Sequence, residues 1–349
     1  MTLFKTSIIK DLSPGYFALV MATGIVSIAA SLLNLKSFAI GLFWINLISY
    51  GVLVVFTLLR LCFFLPRVCN DLTDHGRGPG FFTFIAGSCI LGVQFVLFQR
   101  NFFAAGLLWG TGILGWIIVM YVFFTAATVR REKPDLEKGI NGAWLIAIVA
   151  TQSISVLGVF LAPHLIRGKE VALFFCLCMY LLGSMLYVLI ISLIFYRLMF
   201  VKVDPRDMTP LYWINMGAVA ITTLAGATLI INVSLWAFLE EVAGFLKGFT
   251  LFFWSTGTWW IPMLLILGFW RHVYRGEMLK YDPQYWGMVF PLGMYTVCTF
   301  RLAEALKIDF LFWIPRYFII LPLIAWGITF TGMLVHMASS IYKRNPEAL

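Results

Sequence analysis

Residues 282–307 read DPQYWGMVFPLGMYTVCTFRLAEALK, an apolar run of membrane-spanning length with a proline, Pro291, near its middle. Proline inside a membrane helix removes a backbone hydrogen bond and bends the helix, which is tolerated where neighbouring protein or a water-lined cavity satisfies the freed groups. Phe290 precedes this proline, and Arg301 lies toward the far end of the run. We therefore interpret the run as a helix that lines an internal path.

The composition places almost the whole chain in a membrane. Of its 349 residues, 61% are hydrophobic and only 12% are charged, and the mean hydropathy is +0.93. Soluble domains carry about 25% charged residues, so a chain this apolar must have lipid as the solvent for most of its surface. The net charge of +9 comes from Lys and Arg in short loops between apolar runs. This pattern indicates membrane topology and contact with anionic lipid headgroups, and no nucleic-acid partner is expected.

Ten apolar runs are each long enough to span a bilayer, which takes about 20 helical residues. The runs are 13–34, 38–65, 80–99, 101–129, 141–162, 171–200, 210–232, 246–271, 285–306 and 315–341. They predict one transmembrane domain over 13–341, with short tails at 1–12 and 342–349. Roughly two thirds of the Lys and Arg residues fall on the side of the N-terminus, so both tails are expected in the cytoplasm and the chain in the cell (inner or plasma) membrane.

An internal repeat organises these runs, because the odd-numbered ones begin alike. The openings are PGYFALVMATG from Pro14, PGFFTFIAGS from Pro79, NGAWLIAIVAT from Asn141, PLYWINMGAVA from Pro210 and PQYWGMVFPLG from Pro283. Four start with proline, any residue and two aromatics, whereas the third has Asn141 and Ala143 instead of the proline and the first aromatic. The repeat predicts an all-α integral membrane protein of ten transmembrane helices in five helical hairpins, with pseudo-fivefold symmetry around a central pore.

The repeat also gives a register for Phe290. Aligning the openings on their second aromatic residue places four residues at its level: Met21, Ala86, Ile148 and Gly217. A ring opposite alanine and glycine has room to project into a lumen, although a phenylalanine packed in the core of a bundle fits the same pattern. Small residues follow this level on most odd helices, which suits either a tight bundle around a pore or ordinary helix packing.

The residues at this point resemble a known family. The opening SPGYFALVMATGIVSIA at 13–29, the five-hairpin pattern and YWGMVFPLGMYT at 285–296 are similar to the tellurite-resistance/dicarboxylate transporter family over 13–341. That family includes bacterial tellurite-resistance proteins, fungal malate permeases and the slow anion channels of plant guard cells. The resemblance implies that the odd helices line a pore, that Phe290 with Pro291 forms its gate, and that the protein is a homotrimer with one pore per protomer.

The resemblance further implies an anionic substrate. The expected function is membrane transport of C4-dicarboxylates such as malate, or of small inorganic anions, and the alternative is a sulfite or tellurite-resistance exporter of the same fold. A membrane-embedded enzyme is a remote alternative, since the chain has no HExxH, no GxSxG and no clustered histidines. No catalytic residue, cofactor or metal is therefore expected, and the expected partners are a small anion and the lipid bilayer.

Polar residues on the odd helices are the candidates for contact with the anion. Arg301 shares a helical stripe with Phe290, Met294 and Val297, at spacings i, i+4, i+7 and i+11 from Phe290. A lone cation would raise the local anion concentration, although Glu304 at i+3 could instead pair with it and anchor the helix end. Neutral donors could replace the hydration shell and still release the anion, or could simply bond to their own helix. These donors are Gln152, Thr151, Ser88 and Thr23, and Gln152 is expected to face the same lumen as Phe290.

Overall fold

The computed structural model describes residues 9–344, so the tails expected at 1–12 and 342–349 lie largely outside the described residues. Within that range the chain forms helices and turns but no strand. We number the long helices in chain order. They are α1 Ala18–Leu32, α2 Lys36–Leu72, α3 Phe82–Gln94, α4 Phe102–Val129, α5 Ile146–Leu161, α6 Lys169–Phe200, α7 Ile214–Ile231, α8 Ala243–Phe269, α9 Trp286–Leu306 and α10 Ile320–Arg344.

Nine helical segments of the described chain are long and apolar enough to cross a membrane, which agrees with an integral membrane protein. The long helix missing from this set is α9, the helix of Phe290. Arg301, Glu304 and the glycines of α9 lower its mean hydropathy. Most residues of α9 are nevertheless buried among other helices. A helix covered by protein on all sides does not need the apolar surface that a lipid-facing helix requires.

A short 3₁₀ turn precedes each odd-numbered helix, at the repeated opening motif. The turns are Pro14–Phe17, Gly78–Phe81, Gly142–Leu145, Pro210–Trp213 and Pro283–Tyr285. The third turn forms without proline because the side chain of Asn141 accepts a hydrogen bond from the backbone N–H of Ala143 at 2.8 Å. Ser13 and Asp282 cap the first and fifth turns in the same way. The repeat is therefore present in the local structure even where the sequence departs from it.

The odd-numbered helices form a closed cycle of contacts, which we call the inner ring. Helix α1 packs on α3, α3 on α5, α5 on α7, α7 on α9, and α9 returns to α1. Each even-numbered helix packs against the odd-numbered helix before it and lies outside the ring. Of the most apolar stretch of α5 and of α7, 94% is buried, compared with 11% for α2. The inner ring is thus shielded from lipid by the outer helices.

Small residues let the inner helices approach closely. A Cβ atom at Gly293 of α9 would lie 2.9 Å from a methyl group of Ile25 on α1, and one at Gly217 of α7 would lie 2.6 Å from Cγ of Pro291 on α9. Gly142 packs in the same way directly against the carbonyl of Leu211. Helices without side chains at their crossings can pack backbone to backbone, which is the usual solution inside a membrane.

Helix α2 differs most from its sequence prediction, which ended at residue 65. In the structure it continues to Leu72 through Pro66, and Phe64 has non-helical angles of φ −135° and ψ 32°. Proline bends this helix because its ring excludes the carbonyl four residues earlier and it donates no backbone hydrogen bond. The bent segment reaches beyond the apolar run, where Asp71 forms an ion pair with Arg60.

Candidate functional site

Two cavities lie along the inside of the inner ring. The first, which we call the vestibule, has a volume of about 340 Å³ and is lined by the opening turns of all five inner helices. The second, which we call the narrow cavity, has a volume of only about 20 Å³ and is also lined by all five inner helices. A space of that size holds about one water molecule. The inner ring therefore surrounds a path that is wide at one end and almost closed in its middle.

Phe290 lies at the boundary between these cavities. Its side chain lines the vestibule while only 1% of it is exposed. The next members of its helical stripe, Met294 and Val297, line the narrow cavity, and so does Arg301. Among the described residues, the two cavities share no lining side chain. The predicted stripe thus faces the path along its whole length, and the path is interrupted at the level of Phe290.

The residues predicted at the level of Phe290 have different surroundings. Met21 lines the vestibule beside Phe290, whereas Ala86 is buried in the core. Gly217 was expected to give the ring of Phe290 space, but the atoms nearest to it belong to Pro291. Successive helical residues point about 100° apart, so the proline and not the phenylalanine faces α7. The glycine therefore admits Pro291, and the projection of Phe290 across this level stays a prediction.

The third inner helix is displaced by one residue from the predicted register. On α1, α3, α7 and α9, the residues lining the narrow cavity include those eight and eleven positions after the second aromatic: Ile25, Ile28, Ile90, Val93, Ile221, Leu224, Met294 and Val297. On α5 the corresponding residues are Ser153 and Val156, which lie nine and twelve positions after Trp144. Val149, not Ile148, accordingly lines the vestibule. In the structure Leu145, not Trp144, therefore corresponds to the second aromatic residue of the other openings. The sequence alignment was off by one residue because the third opening lacks the proline and the first aromatic that fix the alignment elsewhere.

The four neutral donors predicted to meet the anion are bound to the outer helices. The hydrogen bonds run from Trp326 Nε1 to Thr23 Oγ1 at 3.0 Å, between Tyr50 Oη and Ser88 Oγ at 2.9 Å, from Trp116 Nε1 to Thr151 Oγ1 at 2.8 Å, and from Gln152 Nε2 to the carbonyl of Tyr180 at 3.0 Å. Buried polar groups need such partners. Gln152 lies against Gly183 of α6, so the expectation that it faces the lumen of Phe290 is wrong.

Ser153 is the polar residue that the sequence reasoning missed. It lines the narrow cavity, and its hydroxyl donates to the carbonyl of Val149 at 2.7 Å. The irregular third opening could have revealed Ser153. If its alignment is moved by one residue, Ser153 takes the place of Gln152 in the wall of the cavity. Apart from Cys89, Ser153 and Arg301, the side chains that line the narrow cavity are aliphatic or aromatic, with one methionine.

Arg301 lies at the end of the narrow cavity that is remote from Phe290. It lines the cavity, and its Nη1 donates to Oε2 of Glu304 at 2.7 Å. Its side chain is 20% exposed and that of Glu304 is 36% exposed. Both readings of Arg301 therefore describe part of the geometry: the guanidinium borders the path, and it also holds the last turn of α9. The adjacent carboxylate offsets part of its positive field.

The vestibule combines helix ends with charged side chains. The opening turns of the inner helices line it, so the positive ends of the helix dipoles face the vestibule. In three of these turns one backbone N–H is already bonded to the side chain of Ser13, Asn141 or Asp282. Arg77 lines it and forms an ion pair with Asp71 at 3.1 Å. Nearby, burial and the positive charges of Arg130 and Lys133 hold the pKa of His75 below its usual value, against the opposing effect of Asp74. Near neutral pH this histidine is therefore uncharged, and among the described residues the charged side chains that line the vestibule are Arg77 and Asp282.

Comparison with known proteins identifies relatives along nearly the whole chain. A family model described as voltage-dependent anion channel matches residues 11–334. An uncharacterized transporter of Methanocaldococcus jannaschii is 28% identical over 344 residues, which covers 93% of each chain. An uncharacterized membrane protein of Mycobacterium tuberculosis is 39% identical over 156 residues, 45% of this chain and 79% of its own. The sulfite efflux pump SSU1 of Trichophyton rubrum is 24% identical over 362 residues, 96% of this chain and 91% of its own.

These matches confirm the resemblance inferred from the opening and from the stretch around Phe290. The family description and the printed names of relatives indicate transporters or channels rather than enzymes. In the described part of the chain, no group of three or more His, Cys, Asp or Glu side chains is placed to hold a metal ion.

Proposed function

The chain belongs to the voltage-dependent anion channel family, and from that premise we propose that anions cross the membrane through the inner ring under the control of Phe290. One observation carries this proposal. Two cavities lined by the same five helices lie on either side of Phe290, and among the described residues no side chain lines both. Pro291, the next residue, rests on Gly217 and fixes the angle at which α9 presents the ring. Rotation of this one side chain into the vestibule is the simplest way to join the cavities.

The arrangement we propose is ten membrane crossings in five hairpins with pseudo-fivefold symmetry. Two features support it: the cyclic packing of the odd-numbered helices, and the layers of five side chains, one from each inner helix, that line the narrow cavity. In this arrangement α9 also crosses the membrane, which brings the nine apolar segments of the described chain to ten crossings. Being enclosed by other helices, it can carry Arg301 and Glu304 without exposing either charge to the middle of the lipid.

In this proposal the vestibule attracts the anion, and the narrow cavity binds it weakly enough to release it. Five helix N-termini make the vestibule favourable for negative charge, since its charged lining side chains, Arg77 and Asp282, offset each other. The narrow cavity has mostly apolar walls, with Ser153 as a neutral polar group, so it binds an anion weakly. Conduction requires a site that the ion enters readily and leaves readily. In the described chain, no carboxylate lines the narrow cavity, which favours a channel-like path over a tightly proton-coupled carrier.

The substrates we propose are C4-dicarboxylates or small inorganic anions. The second candidate is export of sulfite or a related oxyanion, and the relatives named sulfite efflux pumps favour it. The working unit is a homotrimer in the cell membrane with one path per protomer and both termini in the cytoplasm. Flux in liposomes across chloride, nitrate, sulfite, malate and succinate, with and without a pH gradient, tests this proposal. If none of these anions crosses faster than in protein-free liposomes, the proposal fails.

Replacing Arg301 by glutamine is expected to lower anion flux about threefold to tenfold, because Arg301 is the one cation among the described residues that lines the narrow cavity. The loss should shrink as ionic strength rises, since salt screens a partly exposed charge. Arg316→Gln is the matched control: Arg316 is stacked on Trp313 with 5.7 Å between its guanidinium and the ring, and it does not line the narrow cavity. Equal flux and an equal selectivity series in Arg301→Gln and the parent would leave Arg301 as an anchor of the helix end only.

A further inference from the structure

Three arginines occupy related places at the vestibule end of the outer helices. Each donates to a backbone carbonyl in the segment that leads into its own hairpin. The pairs are Arg60 Nε to Lys10 at 3.3 Å, Arg197 Nε to Glu137 at 2.8 Å, and Arg271 Nη1 to Met208 at 2.7 Å. The three sites therefore serve as internal comparisons for one another.

Two of these arginines have a carboxylate partner and the third does not. Arg60 pairs with Asp71 at 2.5 Å, and Arg197 pairs with Asp207 at 3.6 Å. Within the described residues, no carboxylate lies close enough to pair with Arg271, and its buried Nε has no hydrogen-bond partner. A buried guanidinium N–H without an acceptor is costly. The third site thus keeps the bond to the backbone carbonyl, made from Nη1 instead of Nε, but lacks the carboxylate that completes the other two.

A cleft of about 290 Å³ lies beside Arg271, between the turn that precedes α7, the end of α8 and the start of α9. One end is polar and contains Arg271, His272 and Thr209. The other end runs along α8 past Leu265 and Phe269, which are 58% and 64% exposed and belong to the lipid-facing surface. Gly268 lines the cleft between these ends, and a side chain there would meet nothing within 4 Å. The cleft is therefore open toward the bilayer and has an unpaired cation at its polar end.

We propose that this cleft binds an anionic phospholipid. Its phosphate accepts hydrogen bonds from Arg271, including the one that Nε now lacks, and one acyl chain lies along α8 over Gly268. A guanidinium matches the oxygens of a phosphate with two parallel hydrogen bonds. A soluble anion would satisfy Arg271 but would leave the apolar half of the cleft unused. The lipid would hold the loop before α7 against the end of α8, as Asp71 and Asp207 stabilise the corresponding sites.

The test is binding of phosphatidylglycerol to the purified full chain in detergent, measured by native mass spectrometry and by the shift in Tm. Phosphatidylcholine, which has the acyl chains and the phosphate but no net charge, and glycerol phosphate, which has no acyl chain, are the comparison ligands. The parent should bind phosphatidylglycerol at least about tenfold more tightly than either, because the choline cation of the first offsets the phosphate charge that Arg271 recognises and the second leaves the apolar half of the cleft empty. Arg271→Gln should lose about tenfold in affinity for it. Gly268→Leu, which leaves the arginine intact but fills the groove, should lose a similar factor.

Arg275→Gln is the matched control, because Arg275 lies on the same segment but is stacked on Trp270 at 5.5 Å and does not line the cleft. Its affinity should stay within about twofold of the parent. Arg271→Lys serves if the glutamine variant does not fold, since it keeps the charge but loses the forked geometry. Unchanged affinity in folded Arg271→Gln or Arg271→Lys would overturn the proposal. So would glycerol phosphate that binds as tightly as the lipid, or a variant that changes only the oligomeric state, which would make the cleft a contact between copies.

Discussion

Anion flux through Phe290→Ala is expected to exceed that of the parent by at least about tenfold, which corresponds to about 1.4 kcal/mol in the barrier to passage. The ring of Phe290 is almost fully buried at the point where the vestibule ends. Removing it joins a space of about 340 Å³ to the narrow cavity that Met294 and Val297 line. Flux is measured on purified protein in liposomes, with the amount of inserted protein determined for each preparation.

Phe253→Ala separates opening of the path from general loosening of the fold. Phe253 is fully buried on α8 and packs against Phe249 and Tyr187, outside both cavities. Its removal should cost about 3–5 kcal/mol of stability, as is usual for a buried phenylalanine, without raising flux. If both variants raise flux equally, or if Phe290→Ala matches the parent, Phe290 does not act as the gate.

Gly217→Ala is expected to destabilise the folded protein by about 1–3 kcal/mol, the usual cost of overpacking a tight contact. The new methyl carbon would lie 2.6 Å from Cγ and 3.1 Å from Cβ of Pro291. A proline ring cannot rotate away, so α7 and α9 must separate. Because Phe290 is the neighbour of that proline, we also expect flux to change. Thermal unfolding in detergent and the liposome assay measure the two effects.

Gly248→Ala is the matched control for this change. Gly248 lies within α8, and a Cβ atom there would meet nothing within 4 Å. Alanine is favoured over glycine inside a helix by about 1 kcal/mol, so this variant should be as stable as the parent or slightly more so. The two substitutions are chemically identical, but Gly217→Ala should lower the stability of the folded protein whereas Gly248→Ala should leave it unchanged or raise it slightly. A Gly217→Ala protein as stable as Gly248→Ala would mean that α9 does not rest on α7 at this point.

Features that repeat along the chain could be predicted from the sequence. The five openings predicted where the inner helices begin. On four of these helices the residues that line the narrow cavity recur at the same two positions after the second aromatic. The stripe of Phe290, Met294, Val297 and Arg301 was predicted because helical periodicity holds inside one continuous helix. The family also followed from the residues around Phe290.

What the sequence could not supply depends on contacts between helices. Gln152 and Gly217 were placed by register alone, and a shift of one residue turns a side chain by about 100°. The irregular third opening produced such a shift on α5. Thr151 was expected to bind the anion, but its hydroxyl oxygen accepts a hydrogen bond from the indole N–H of Trp116 on α4. A list of donors on one helix does not show which of them a neighbouring helix uses.

Labelling of a single cysteine behind the gate tests the central claim most directly. In a chain whose six natural cysteines are replaced, Ser153→Cys places a thiol in the narrow cavity, beyond Phe290. An anionic methanethiosulfonate reagent is added from the vestibule side, with Phe290 present and with Phe290→Ala. The account predicts labelling at least about tenfold faster in the alanine background, in proportion to the lowered barrier, with loss of flux as labelling proceeds. Equal labelling rates in the two backgrounds would contradict it.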